Sequence, residues 1–392
     1  MFALLAEADG VKVLITGGAG FIGSRLAARL AESGDTITVF DNLSPQIHGV
    51  DAGFSAAVEA VAICIRGDVR DRSVLAEAIL GQEVIVHLAA ETGTGQSMYV
   101  VEHYSDVNLG GTALLLDLLV NQRPPELRKL IVASSRAVYG EGQYDCARDG
   151  VVVASTRTAQ ALADGRFDPV CPVCNGPITL QATGEDTPFA PVSFYGLTKQ
   201  VQEQMVLMFA RVLGLDAFAL RYQNVYGPGQ SLTNPYTGIV AVFSGLVRQG
   251  KPINVFEDGE ESRDSVYIDD VVAATAACIA PDSTGVHSLN VGSGVHTSVG
   301  EVAEAIARYF QADVAINVTG DFRVGDIRHN FADLTRLKQV TGFQPTWAFV
   351  DGLERFLAWT EQHEPAEAGY EASLAELKSR GLMGAATAEG RS

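Results

Sequence analysis

The sequence predicts an α/β fold: an open, doubly wound parallel sheet followed by a smaller α/β domain. Three observations predict it. Over the first half, short β-branched runs alternate with amphipathic helical patterns. These runs are almost continuously apolar, as strands covered on both faces should be. The first run passes through a glycine-rich turn directly into a helical pattern, which is a βα unit.

Taken in order, 11–16, 36–40, 62–66, 84–90 and 130–135 read as buried parallel strands, with 216–222 as a sixth. Helical patterns over 21–33, 72–80, 104–122 and 194–213 lie between them. Beyond Tyr222 the pattern changes, and Gly227, Pro228, Gly229, Pro235 and Gly238 mark loops. Helices over 240–249, 299–310 and 349–362, with strands over 253–256, 287–291 and 313–318, are expected to build the smaller domain. The expected division is 1–225 for the first domain, with part of 264–280 returning to it, and 226–365 mainly for the second. Residues 141–187 carry Cys146, Cys171 and Cys174, many Gly and Pro and little periodicity, and read as an insertion. The Ala/Glu/Gly-rich tail, 366–392, is expected to hold one short helix over 370–382 and otherwise to be mobile.

Composition excludes several function classes. The 392 residues are 47% hydrophobic, enough for a sizeable core. A net charge of −19 repels a phosphate backbone, so no nucleic-acid partner is expected. The longest apolar stretch, 271–280, is half a membrane span, so no membrane partner is expected either. Phe2–Ala6 is too short for the core of a signal peptide. Five cysteines in so long a chain do not suggest a disulfide framework, and the cytoplasm is the expected compartment.

Chemistry is carried by two motifs. In Thr16-Gly-Gly-Ala-Gly-Phe-Ile-Gly-Ser24, Gly17 permits a tight turn, Gly20 lets a pyrophosphate approach, and Gly23 allows close helix–strand packing. The helix N-terminus at Phe21 and Ile22 supplies N–H donors and positive dipole. Asp41 ends the second strand roughly 20 residues later, where a carboxylate accepts from ribose hydroxyls and repels a 2′-phosphate. This favours NAD over NADP on a Rossmann-type sheet. The same Asp41-Asn42 pair also reads as a turn cap. Asp68 and Val69 end the third strand at the same edge, as an adenine contact or a plain turn. In the second motif, Tyr195 and Lys199 share a helix face at i,i+4. A lysine beside a tyrosine lowers the phenol pKa and makes a general base for a hydroxyl proton. Ser135, at the end of the fifth strand, is placed to bond the reacting hydroxyl and Tyr195.

The motif order resembles a known family. Gly17–Gly23, Asp41-Asn-Leu-Ser, His87-Leu-Ala-Ala90, Ser135 with Val138-Tyr-Gly, Tyr195-x-x-x-Lys199, Asn224-Val-Tyr-Gly-Pro-Gly229 and Arg263-Asp-x-Val-Tyr-Ile-Asp269 occur in sequence. Together they resemble the extended short-chain dehydrogenase/reductase superfamily, in particular its NAD-dependent nucleotide-sugar 4-epimerases. That resemblance implies a homodimer, built through helices near 104–122 and 194–213, acting on a nucleotide-diphosphate sugar through a 4-keto intermediate. It implies that Tyr195 removes the 4-hydroxyl proton, that Lys199 holds the nicotinamide ribose, and that Ser135 orients the hydroxyl. Leu88, Ala89 and Ala90 would line the cofactor groove, with Asn108 supporting the site. Thr92, Arg136, Asn224, Phe256, Arg263 and Arg328 would contact the substrate, the last two through its diphosphate. Phe256 also reads as a core aromatic, and both arginines as partners of nearby acids.

The related dehydratases carry an Asp-Glu pair after the strand-end Ser or Thr, where this chain has Arg136 and Ala137, so dehydration is disfavoured. A sugar decarboxylase, a UDP-sugar epimerase and a non-catalytic NAD sensor stay open. The 134–146 segment and Cys171-Pro-Val-Cys174 resemble the insert of a bacterial epimerase subgroup acting on dTDP-L-rhamnose. Cys171 and Cys174 have zinc-knuckle spacing, with Cys146 a third ligand and Asp149 the candidate fourth. Reduced cysteines in a lid-like loop are the alternative. Cys64 and Cys278 lie in apolar patterns and read as core.

Overall fold

Seven strands form one parallel sheet in the order Val286–Val291, Asp216–Tyr222, Lys129–Ser135, Val84–His87, Lys12–Thr16, Thr36–Asp41 and Ala62–Arg66. The computed structural model describes residues 10–232, 234, 238–364 and 369–387. The Phe2–Ala6 run, Pro235 and the tail residues 366–368 and 388–392 lie outside the described residues. Strand order reverses between Lys12–Thr16 and Val84–His87, and this switch point opens the crevice in which such sheets bind ligands. Both faces are covered. Val13 and Ile15 pack into one apolar cluster and Leu14 into the other, as a period of two requires.

Three elements differ from the sequence expectation. The strand Val286–Val291, expected in the smaller domain, instead pairs with Asp216–Tyr222 at the edge of the main sheet. The helix expected over 104–122 begins at Val101 and contains a π-helical turn, Ser105–Gly110, before continuing as Gly111–Gln122. Within the tail, residues 369–387 are structured: helix Tyr370–Ser379 leads to strand Met383–Ala385, which pairs antiparallel with Asp321–Arg323. That helix crosses to the 94–99 segment. Tyr99 Oη donates to Glu376 Oε2 at 3.0 Å, and the Arg380 guanidinium lies 4.2 Å from the Tyr99 ring centroid.

The smaller lobe consists of short pairings. Asn224–Tyr226 runs parallel to Ser262–Tyr267, which pairs antiparallel with His296–Ser298 and parallel with His329–Asn330. Ile253–Val255 runs parallel to Ile316–Val318. Residues 141–187 form a hairpin, Gln143–Cys146 with Gly150–Val153, joined by Thr179–Leu180.

Candidate active site

A cavity of about 1040 Å³ opens at the carboxyl ends of the sheet strands, between the main sheet and the smaller lobe. Of the residues singled out from sequence, Gly17, Gly20, Phe21, Ile22, Gly23, Asp41, Asn42, Val69, Leu88, Ala89, Ala90, Thr92, Ser135, Tyr195 and Lys199 line it.

The glycine loop is built for close approach. Gly17 has φ +70, and a Cβ there would meet the Ala89 backbone nitrogen at 2.7 Å. At Gly23 a Cβ would meet the Gly17 carbonyl oxygen at 2.5 Å, so helix and strand pack at a distance only glycine allows. Helix Phe21–Glu32 has no side-chain cap at Gly20 and no acidic residue in its first turn. Its free N–H groups therefore face the cavity as an anion site. Asp41 is both a turn cap and a cavity wall. Its carboxylate accepts from the backbone N–H of Ala19 at 3.0 Å and of Leu43 at 2.9 Å. Leu43 has φ +55, and that bond helps hold it there. The two oxygens keep lone pairs for a diol. The loop, helix end and carboxylate thus fit a dinucleotide. Asp68 stands one step away. Arg70 grips its carboxylate with two bonds of 2.8 Å, which holds its pKa well below the usual range.

His87, within the His87-Leu-Ala-Ala90 motif, is structural. It sits between Thr16 Oγ1 at 2.8 Å and Thr112 Oγ1 at 3.1 Å, and burial drives its pKa down to about 3. Asn108 lies in the π-helical turn. It accepts from the Glu91 N–H at 2.8 Å and donates to the Glu91 carbonyl and to Thr198 Oγ1. It therefore ties the 88–92 loop to the helix that carries Lys199. The extra residue of a π turn, a frequent mark of functional sites, points Asn108 between them.

Helix Phe194–Leu213 starts with Ser193 capping the Gly196 N–H, which places Tyr195 and Lys199 in its first two turns. The Tyr195 N–H donates to Ser97 Oγ at 2.9 Å. Lys199 Nζ donates to the Ala133 carbonyl at 2.9 Å and lies 5.9 Å from the Tyr195 ring centroid. The expectation that lysine lowers the tyrosine pKa is not met by protein groups alone. Burial pushes the Tyr195 phenol up, against a hydrogen bond from Ser135 and the nearby Arg136 charge. Burial also brings Lys199 down to about 7, which weakens the very charge that was to act on the phenol.

The predicted cations divide. Arg263 donates to the Ser262, Ile327 and Arg328 carbonyls and to Asp326 Oδ1. Arg328 is buried and bonds Asp168, Glu257 and Asp258. Neither lines the cavity, nor do Asn224 and Phe256. Phe256 has the Arg323 guanidinium 5.0 Å from its ring centroid. Arg136 does not line the cavity either, but it differs in its partners. Among the described residues its side chain makes no hydrogen bond or ion pair. Burial and the Arg263 charge bring its pKa down to about 10, and it sits close enough to Tyr195 for the two to interact. Sequence reasoning missed Gln223, a cavity-lining residue whose buried amide has no partner on either atom. A lone glutamine after a strand has no spacing signal that could have found it. The Cys146, Asp149, Cys171 and Cys174 group lies outside this cavity.

An anion-binding helix end, a diol-binding carboxylate and a Ser–Tyr–Lys group in one cleft define a dinucleotide-dependent enzyme acting at a hydroxyl carbon. The chain belongs to the NAD dependent epimerase/dehydratase family, which matches residues 13–159 and 171–292. It is 39% identical over 357 residues to the dTDP-L-rhamnose 4-epimerase of Burkholderia thailandensis, covering 90% of this chain and 96% of that protein. The solved UDP-glucose 4-epimerase of Thermotoga maritima with UDP-glucose superposes with a TM-score of 0.72 at 26% identity, over 90% of this chain and 99% of that one. The Thermus thermophilus UDP-glucose 4-epimerase complex with NAD gives 0.69 at 25% identity, over the same 90% and 99%.

Proposed function

We propose that this protein is an NAD-dependent 4-epimerase of a nucleotide-diphosphate deoxysugar, with dTDP-L-rhamnose the preferred substrate. The observation that carries the reading is that Ser135, Tyr195 and Lys199 line the same cavity as the Gly17–Gly23 loop. The 39% identity to a dTDP-L-rhamnose 4-epimerase supports the choice of sugar.

The loop and helix end at Phe21–Gly23 hold the dinucleotide's pyrophosphate, and Asp41 its adenosine ribose. When bound, NAD supplies a hydride acceptor, later a donor, and a positive ring beside Tyr195. Tyr195 takes the proton from the 4-hydroxyl as the C4 hydrogen leaves as hydride, and it returns a proton after the 4-keto sugar has turned over. No net oxidation results. Ser135 bonds the reacting oxygen, and Lys199 holds the nicotinamide ribose. Arg136, near Tyr195 and without a partner among the described residues, is a cation available to the substrate, and Gln223 offers both an amide donor and an acceptor.

The protein acts as a homodimer in this reading. Val120, Leu197, Met208 and Val212 are exposed apolar residues on the two helices expected to pair. It works in the cytoplasm, where its cysteines stay reduced.

Incubation with dTDP-L-rhamnose, followed by NMR of the sugar protons, should show a C4 diastereomer without build-up of NADH. Conversion of UDP-sugars alone would move the substrate assignment. NADH accumulation without a new diastereomer would refute the epimerase.

A further inference from the structure

The cavity leaves one constellation unused. Cys146 and Asp149 lie at the tip of the Gln143–Cys146/Gly150–Val153 hairpin, and Cys171 and Cys174 face them from the following loop. Their four ligand atoms all fall within 4.8 Å of one another. Three of the separations are 3.6 Å for Cys146 Sγ–Cys174 Sγ, 3.5 Å for Cys146 Sγ–Asp149 Oδ2 and 3.2 Å for Cys171 Sγ–Asp149 Oδ2.

These three spacings are close to the edges of a zinc tetrahedron. Zinc–thiolate bonds of about 2.3 Å and zinc–carboxylate bonds of about 2.1 Å put sulfur–sulfur edges near ~3.8 Å and sulfur–oxygen edges near ~3.6 Å. The Cys171–Cys174 loop is shaped like a metal knuckle. The Cys171 N–H donates to the Gly176 carbonyl and the Asn175 N–H to the Cys171 carbonyl, both at 2.9 Å. Asn175 adopts φ +58 to close the turn. The Val173 N–H points at Cys171 Sγ at 3.5 Å, where it would stabilise a thiolate.

A second observation is independent of the ligand geometry. Neither of the two large apolar clusters includes any residue of 141–187. The buried apolar side chains of that segment are Tyr144, Cys146, Ala154, Leu162 and Cys171, and two of these are the candidate ligands. So small a core needs a staple.

We propose that Cys146, Asp149, Cys171 and Cys174 hold one structural Zn²⁺. All four positions are filled by protein, so the ion has no open site for water and no part in the reaction. Three thiolates and a carboxylate leave a charge of −2 around it, which Arg148, 3.7 Å from Asp149 Oδ1, partly offsets. The ion's effect is on the segment it closes. That segment supplies Glu141, Arg157 and Asp168 to the ion pairs around Glu257 and Arg328, so the clip holds one side of the smaller lobe in place.

The test uses the full chain purified under reducing conditions, with metal measured by inductively coupled plasma mass spectrometry. About one zinc per chain is expected, released by a thiol-blocking mercurial. The Cys171→Ser/Cys174→Ser variant should carry less than a tenth of that and be cleaved faster by protease within 141–187. Asp149→Asn should weaken zinc binding at least tenfold, and Asp149→His should restore it. Should the double variant fold poorly, Co²⁺ added to metal-stripped wild type decides. Intense visible absorption from tetrahedral cobalt–thiolate is expected, and only weak octahedral absorption would overturn the proposal. Wild type that holds less than a tenth of an equivalent after zinc addition would also overturn it. None of these readouts depends on the sugar substrate, so failure of the epimerase assignment leaves this result separate.

Discussion

Tyr195 stands beside a lysine whose pKa burial lowers to about 7. Burial that raises the phenol and lowers Lys199 to about 7 leaves the protein's share of base activation small. Tyr195→Phe should still lower kcat by about 10²- to 10⁴-fold, because the proton then has no acceptor. NAD content, measured by release on acid denaturation, should stay near wild type. Asp41 does two things at once, and its substitution should show both. Asp41→Asn removes the charge that repels a 2′-phosphate while leaving an oxygen to cap the Leu43 turn. Titration with NAD and NADP should show the preference for NAD shrinking about tenfold, or ~1.4 kcal/mol. Gly17, Asp41, Tyr195 and Lys199 stood out in the sequence because each sits in a motif of short fixed spacing, although the partners they meet, Ala89, Ala19, Ser97 and Ala133, are distant in the chain. Arg263 and Arg328 read two ways in the sequence, as substrate contacts or as partners of nearby acids, and in the structure both are ion-paired. Arg328 takes its partners from Asp168 and Glu257, and its backbone N–H donates to Glu141, 187 positions earlier. No local pattern reports that both guanidiniums are already committed.

Single buried charges decide how the larger elements dock. Lys129 begins strand Lys129–Ser135, and its Nζ donates to the carbonyls of Cys278, Ile279, Ala280 and Ser283 at 2.6–3.2 Å. It caps the C-terminus of helix Ile268–Ile279 and fastens it to the sheet. Lys129→Met should cost about 1–3 kcal/mol, seen as a lower urea midpoint with NAD binding kept. Helix Phe194–Leu213 is fastened by Glu203, which accepts from Ser134, Ser288 and a multiply bonded Arg221. Glu203→Ala should cost about 3–5 kcal/mol, because it strands the Arg221 charge in the interior. The same denaturation series would detect it. The parallel strands were readable from apolar runs, and the helix carrying Tyr195 and Lys199 from its pattern over 194–213. The π-helical turn was not, because one extra residue in a helix leaves the apolar pattern nearly unchanged. Val286–Val291 was assigned to the wrong layer because its pattern reports burial, not partner.

Over the whole molecule, acidity acts through position as well as through the net charge of −19. Glu261 is buried in the smaller lobe with Oε2 unpaired, and burial, helped by Glu257, raises its pKa to about 8. In the unfolded chain the value is about 4.3. Between the two, the folded chain keeps a proton that the unfolded chain has released. Its contribution to stability is therefore full below about pH 4 and is lost as pH rises toward 8. Glu261→Gln should raise the melting temperature by about 2 °C or more at pH 8, with the difference shrinking toward pH 4.5. A scanning calorimetry series over that range checks it. The pairing of Met383–Ala385 with Asp321–Arg323 belongs to this scale too. It joins segments about 60 positions apart and could not be read from an Ala/Glu-rich tail.

That tail has a mechanical consequence. Its strand is anchored in the smaller lobe, while its helix is bolted to Tyr99 on the main-sheet side. Two residues before Tyr99, Ser97 receives the Tyr195 N–H. Residues 370–385 therefore link the smaller lobe to the 97–99 segment, which in turn touches the start of helix Phe194–Leu213. A load on the Met383–Ala385 pairing would therefore be felt, through Tyr99, by the segment that receives the Tyr195 N–H.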